Sequence, residues 1–219
     1  RFRNVTGVQT CALPIYMVFK PGTAVSTISE AKNIMASATI TEEIPRSFGI
    51  YDLTEFLSTC SLMSEPELEF TEDSVLLNEG NTSIRYFYAA PENLTAPTKQ
   101  VNMPKPEVKL TLSADAINKI KKAASVLGHA TMVITGNKGK VTLSVADLNN
   151  DTANKYSLVV DESNSCKESF SFVMVIGNLK MLPGDYTVSI SSKLISHFKN
   201  NGTQVEYWIA LEKSSTFGK

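Results

Sequence analysis

Hydrophobic and polar positions alternate along most of the chain, with the period of strands that bury one face. Val25 to Ile40 carries Val25, Ile28, Ile34, Ala36, Ala38 and Ile40 in such a pattern, interrupted by turn residues at Lys32-Asn33. Leu68-Glu69-Phe70 and Val75-Leu76-Leu77 flank Glu72-Asp73, which is a hairpin signal. Ile84-Arg85-Tyr86-Phe87-Tyr88 is β-branched and aromatic, the kind of side chain that packs well on a pleated surface. Further strands are predicted at Val108–Leu112, Thr131–Thr135, Val141–Val145, Tyr156–Val160, Phe170–Val175, Tyr186–Ile190 and Val205–Leu211, with GNKG at 136–139 as a tight turn.

Three segments break the two-residue period. The clearest runs from Ser113 to Gly128, where Ile117, Ile120, Ala124 and Leu127 recur at steps of three and four. Ser113 is placed to cap its first turn and Gly128 to end it. A second helix is predicted within IYDLTEFLSTCSLM, over Leu53–Met63, and a shorter one within IGNLKML after Val175. These last two echo each other, Ile50 against Ile176, each with Asp or Asn at a capping position. The echo points to two β-rich halves of common origin.

Between the halves, Pro91, Pro97, Pro104 and Pro106 mark residues 91–106 as an extended connector. The halves are then 17–90 and 107–219. The first sixteen residues follow neither period. Reverse-translated, Val5–Ile15 resembles a sequencing-library adapter read in frame, so Arg1–Tyr16 is expected to be non-native, with the natural chain joining near Met17.

With 219 residues, 42% hydrophobic and 20% charged, the chain can bury a substantial core. Its net charge of −1 supplies no global field for nucleic acid, though a local basic surface remains open. No apolar run approaches bilayer length. Cys60 and Cys166 lie far apart and are expected as unpaired thiols. The Asn-x-Ser/Thr triplets at Asn4, Asn81, Asn93, Asn150 and Asn201 are a weak signal in a chain rich in these residues.

No catalytic motif emerges. His129 and His197 have no partners at ligand spacing, so neither metal nor cofactor is expected. Glu65, Glu67, Glu69, Glu72 and Asp73 alternate with Leu68 and Phe70 as the solvent face of a strand does. The informative feature is the polar face of the 113–128 helix, which carries Asn118, Lys119, Lys121, Lys122 and Ser125 against Asp115 alone. Such a face suits loose contact with a phosphate backbone that reads no bases. Lys180 follows in the second half.

Taken together, IYDLTEFLSTCSLM, the acidic hairpin, the proline-rich connector and LPGDYTVSISSKL…VEYWIALEKSSTF resemble the sliding clamps of T-even-like bacteriophages. The similarity runs from about Met17 to Phe217 and is strongest at Ile50–Leu57, Ala90–Lys99, Leu182–Tyr186 and Trp208–Thr216. It implies an α+β, two-domain DNA-clamp fold with helices inside curved antiparallel sheets, domain one lacking its natural N-terminal strand and helix. It also implies a non-enzymatic homotrimeric ring in the host bacterial cytoplasm, on double-stranded DNA and without sequence preference. The partners implied are a DNA polymerase, a clamp loader and late-transcription factors, with no membrane.

Residue by residue, the resemblance places Lys119, Lys121, Lys122 and Lys180 on the channel wall. It places Val101, Met103, Pro104, Tyr207, Trp208 and Ile209 at a pocket for partner peptides, although strand alternation demands that Trp208 or Ile209 be core. Ring closure falls to Ser83–Ala90, with Ser83, Arg85, Phe87 and Ala89, against Lys155–Val160, with Tyr156, Leu158 and Val160. The surviving helix of domain one carries no Lys or Arg, and Asp52 and Glu55 make it acidic, a departure from a basic channel lining. A secreted or virion β-sandwich adhesion module is the alternative, which the strands and Asn-x-Ser/Thr triplets alone would satisfy. An enzyme domain is a weaker one.

Overall fold

The computed structural model describes residues 16–94 and 101–218. The adapter-like segment, apart from Tyr16, and the middle of the connector lie outside the described residues, as does the test of a missing N-terminal strand and helix. The chain divides into two compact units, Arg1–Gln100 and Val101–Lys219.

In the first unit β1 (Met17–Phe19) pairs antiparallel with β4 (Phe48–Ile50), and β2 (Gly22–Ile28) with β3 (Ile34–Ile44). β5 (Glu67–Phe70), β6 (Ser74–Glu79) and β7 (Thr82–Phe87) form a three-stranded antiparallel sheet in that order. An aromatic cluster ties these pieces together. Phe48 stacks on Phe19 at 4.7 Å and on Tyr88 at 4.5 Å, with Phe70 beside it at 5.6 Å. The helix α1 (Leu53–Cys60) starts where Asp52 accepts the Glu55 N–H at 2.9 Å. It buries Leu53 and Phe56, and the Phe56 ring meets Tyr86 edge-on at 5.1 Å. Burying such a side chain is worth about 1.5–3 kcal/mol. The expected helix to Met63 stops at Cys60 because Ser61 turns back to bond the last carbonyls and Met63 leaves for the core.

The second unit has two sheets. β11 (Tyr156–Asp161), β10 (Lys140–Val145), β9 (Thr131–Asn137), β12 (Phe170–Val175) and β16 (Thr216–Phe217) are neighbours in that order. β15 (Val205–Ala210), β14 (Ile195–Asn200), β13 (Tyr186–Ser191) and β8 (Val108–Leu112) are neighbours in the second. The helix α2 (Ala114–Leu127) packs on β10 and β11. Its caps are those the sequence implies. Ser113 Oγ accepts the Ala116 N–H at 3.1 Å, and Gly128 sits at φ 71°, left-handed. Ile117, Ile120 and Ala124 are buried, with Leu127 half-buried.

The predicted helix in IGNLKML is instead a single 3-10 turn, Ile176–Asn178, and Lys180 lies beyond it. Leu179 and Met181 drop into the core, and Pro183 biases the residue before it away from helical torsions. The equivalence with α1 therefore holds in sequence but not in local structure. The Asn137-Lys138-Gly139-Lys140 turn joins β9 to β10 with Lys138 at φ 51° and Gly139 at φ 87°, the two-residue turn whose twist matches the strands.

Candidate nucleic-acid interface

The polar face of α2 is real and unevenly charged. Lys119 and Lys122 are exposed, while Lys121 is half-buried, and the loss of water there holds its ammonium below the usual lysine range. Lys119 Nζ lies 2.7 Å from Asp115 Oδ2, a pairing that raises the lysine's own pKa and occupies part of its charge. Lys180 is exposed after the 3-10 turn. Across α1, by contrast, Glu55 is exposed and no cation appears, as its sequence requires.

β7 and β11 are among the strands that end their sheets. β7 is hydrogen-bonded to β6 on one side, and β11 to β10. Alternation settles which backbone groups face the open side. Tyr88 N–H donates to Asp73 O at 2.9 Å, toward β6, so Ser83, Arg85 and Phe87 direct their N–H and C=O groups away from it. This open edge ends at Ala89, whose N–H already donates to Gly49 O at 2.8 Å. Ala89 is therefore taken by its own chain.

On β10 the closing pair of the two-residue turn, Asn137 with Lys140, is hydrogen-bonded, and Ala146 N–H donates to Thr131 O at 3.4 Å. Lys140, Thr142 and Ser144 thus face β9, and Leu143 and Val145 face β11. Their partners Leu158 and Tyr156 point back, which leaves Ser157 and Val159 directed outward. Val160 is the extra residue of a bulge between the Val159–Thr142 and Asp161–Val141 pairs.

The pocket positions separate. In β15, Tyr207 and Ile209 are fully buried, and the Tyr207 hydroxyl accepts the Leu182 N–H at 3.2 Å. Both belong to the core because the strand alternates, so neither offers surface to a docked peptide. Trp208 takes the opposite face, where His197 stacks on it at 4.8 Å and Glu206 reaches His197 Nε2 at 2.9 Å. Trp208 Nε1 is buried, with no acceptor among the described residues. Val101, Met103 and Pro104 are half-buried in an irregular stretch. The His197–Trp208 stack escapes sequence reasoning because β14 carries no clear alternation of apolar residues.

Among the described residues no cluster of His, Cys, Asp or Glu has the arrangement of a metal site, and no helix is long and apolar enough to cross a membrane. The fold is that of the DNA clamps. It superposes on proliferating cell nuclear antigen from Entamoeba histolytica with a TM-score of 0.65, 18% identity and 96% and 94% of the two chains covered. The protein from Thermococcus kodakaraensis gives a TM-score of 0.68 at 14% identity, over 95% and 96%.

Sequence then fixes the family. Residues 109–213 match the model of the gp45 sliding clamp, C terminal. The sliding clamp of Vibrio phage KVP40 is 31% identical over 202 residues, 90% of each chain, and that of Escherichia phage RB69 30% over 189 residues, 83% and 82%. The chain belongs to the sliding-clamp family of T4-like phages and is a DNA sliding clamp, not an enzyme. That membership sets aside the adhesion module.

Proposed function

We propose that three copies of this chain close head to tail into a ring around duplex DNA and hold the replicative polymerase at the primer end. One observation carries the reading. β7 in one unit and β11 in the other each end a sheet, so each copy can give one edge and receive another. Such a heterologous contact forms a ring when the rotation closes.

Lys119, Lys121, Lys122 and Lys180 line the channel, where separate, hydrated ammonium groups touch phosphates too weakly to arrest sliding. The ring stays on DNA by topology rather than affinity. A tethered polymerase then gains from raised local concentration, with no bond made or broken. A clamp loader opens the ring, and late-transcription factors share the same outer surface in the host bacterial cytoplasm. Partner peptides dock beside Val101, Met103, Pro104 and Trp208, with Tyr207 and Ile209 supporting the site from the core.

Sedimentation tests the assembly. A trimer at micromolar concentration supports the ring, and a monomer at every concentration reached overturns it.

A further inference from the structure

The β9–β10 hairpin carries a groove that none of the roles above uses. We propose that it is a docking site for an acidic peptide segment of a partner protein, separate from the positions beside the connector and independent of ring closure.

Thr135, Gly136, Asn137, Lys138, Lys140 and Thr142 line this depression of about 290 Å³. Thr135 stands opposite Thr142 and Asn137 opposite Lys140, so these four side chains share one face of the sheet. Asn137, Lys138 and Lys140 are exposed, and with Thr142 they make no side-chain hydrogen bond or ion pair among the described residues. What they offer is mostly donors. The two ammonium groups can only donate, and the amide and hydroxyl add to them. No acid lines the groove. The acids nearest along the chain lie in the 161–168 loop, where Asp161 already accepts from the Ser163 N–H and the Asn164 amide. Such a site suits carboxylates. An extended peptide turns alternate side chains to one face, so a Glu-x-Glu sequence presents two of them together.

The lysines stand on a turn braced by that loop. Lys138 N–H donates to Lys167 O at 3.3 Å, and Gly139 O accepts the Asn164 N–H at 2.8 Å. Asn164 is buried and donates through Nδ2 to Lys109 O at 2.7 Å. Lys138 sits at φ 51°, where a two-residue turn favours Asn or Gly. Lysine gives such a turn no advantage, and backbone strain of this kind concentrates at ligand contacts.

The sheet separates this groove from the α2 lysines. α2 packs on β10 and β11 with its apolar face, and on β10 the fully buried side chains are Val141, Leu143 and Val145. Lys140 and Thr142 alternate with them and take the other face. A duplex lying on α2 is therefore across the sheet from the groove, which favours a protein partner here.

Fluorescence anisotropy of a short labelled peptide of alternating Glu and Ser tests the site on the full chain. Lys138→Asn with Lys140→Gln should weaken its binding about fivefold, as expected for two exposed charge pairs. Lys20→Gln with Lys193→Gln removes the same charge from exposed positions outside the groove and should leave binding unchanged. Equal weakening by both double variants, or no binding to the unmodified chain, overturns the site. Lys138→Asn alone should raise the thermal midpoint, because asparagine tolerates a positive φ better. A midpoint that fails to rise assigns the lysine to the turn and overturns its part in the site. A duplex oligonucleotide that displaces the peptide, and whose own binding is lost in the groove double variant, makes the groove a nucleic-acid contact and overturns the peptide.

Discussion

Lys119 Nζ and Asp115 Oδ2 lie 2.7 Å apart on adjacent turns of α2. The foremost lysine of the proposed channel face is therefore already partnered within its own helix, and on that proposal the pair must open or be shared when a phosphate arrives. Asp115→Asn should release that charge and lengthen residence on DNA. It should also steepen the dependence of retention on salt. An unchanged salt slope would place Lys119 away from the phosphates.

The lysines are expected to act collectively. Replacing Lys119, Lys121, Lys122 and Lys180 by Ala should flatten the log–log salt slope by about 0.9 for each phosphate no longer neutralised. Lys121 should contribute least, because its half-buried stem holds the ammonium back. Single substitutions, read by retention on DNA at two salt concentrations, rank them.

Ser157 and Leu158 differ by one position and by direction, and proline reads that difference. Ser157→Pro deletes an N–H that faces the open edge, so it should abolish the trimer while circular dichroism stays native. Leu158→Pro deletes an N–H bonded to β10, so it should unfold the second unit instead. Loss of fold in the first variant, or an intact trimer, would contradict the assigned alternation.

Ile209 and Trp208 should part in the same way. Ile209→Ala empties a fully buried site and should cost about 2–5 kcal/mol in chemical denaturation. Trp208→Phe removes a buried donor that has no acceptor among the described residues, so its stability cost should be small, while binding of the polymerase tail weakens. Trp208 is the chain's single tryptophan, so its emission should shift when such a peptide docks.

Glu107 holds the end of the connector through two bonds to Ser192, from its N–H and its hydroxyl, each 2.8 Å. Partial burial works to raise its pKa, but the Ser192 bonds overrule it and the net shift is downward. A depressed carboxylate stabilises above its unfolded pKa of about 4.3 and loses that contribution as pH falls through the folded value. The protection of the Ser192 amide against hydrogen exchange should therefore fall as pH drops through the lowered Glu107 value, and Glu107→Gln should remove most of this dependence.

The helix 114–127 and the strands of the second unit were legible because caps and periodicity agreed there, Ser113 and Gly128 with the Ile117–Ile120–Ala124 face. The short strands β1 and β4 were not, since three residues are too few to show a period. The lysine face could be read from helical spacing alone. That Asp115 pairs with Lys119, that Gly49 closes the edge at Ala89 and that Ser157 faces outward are facts of the folded chain, set by which segments meet. Lys180 was misplaced onto a helix because Asn178 resembles a cap, whereas burial of Leu179 and Met181 governs that stretch.

The central claim is topological, and one comparison tests it most directly. The clamp is loaded onto nicked circular duplex, excess protein is removed, and half the sample is cut once with a restriction enzyme. Retention on the intact circle with rapid loss from the cut DNA is the predicted result. Equal retention on circle and linear DNA would mean that the protein binds along the duplex rather than around it, and would contradict the ring.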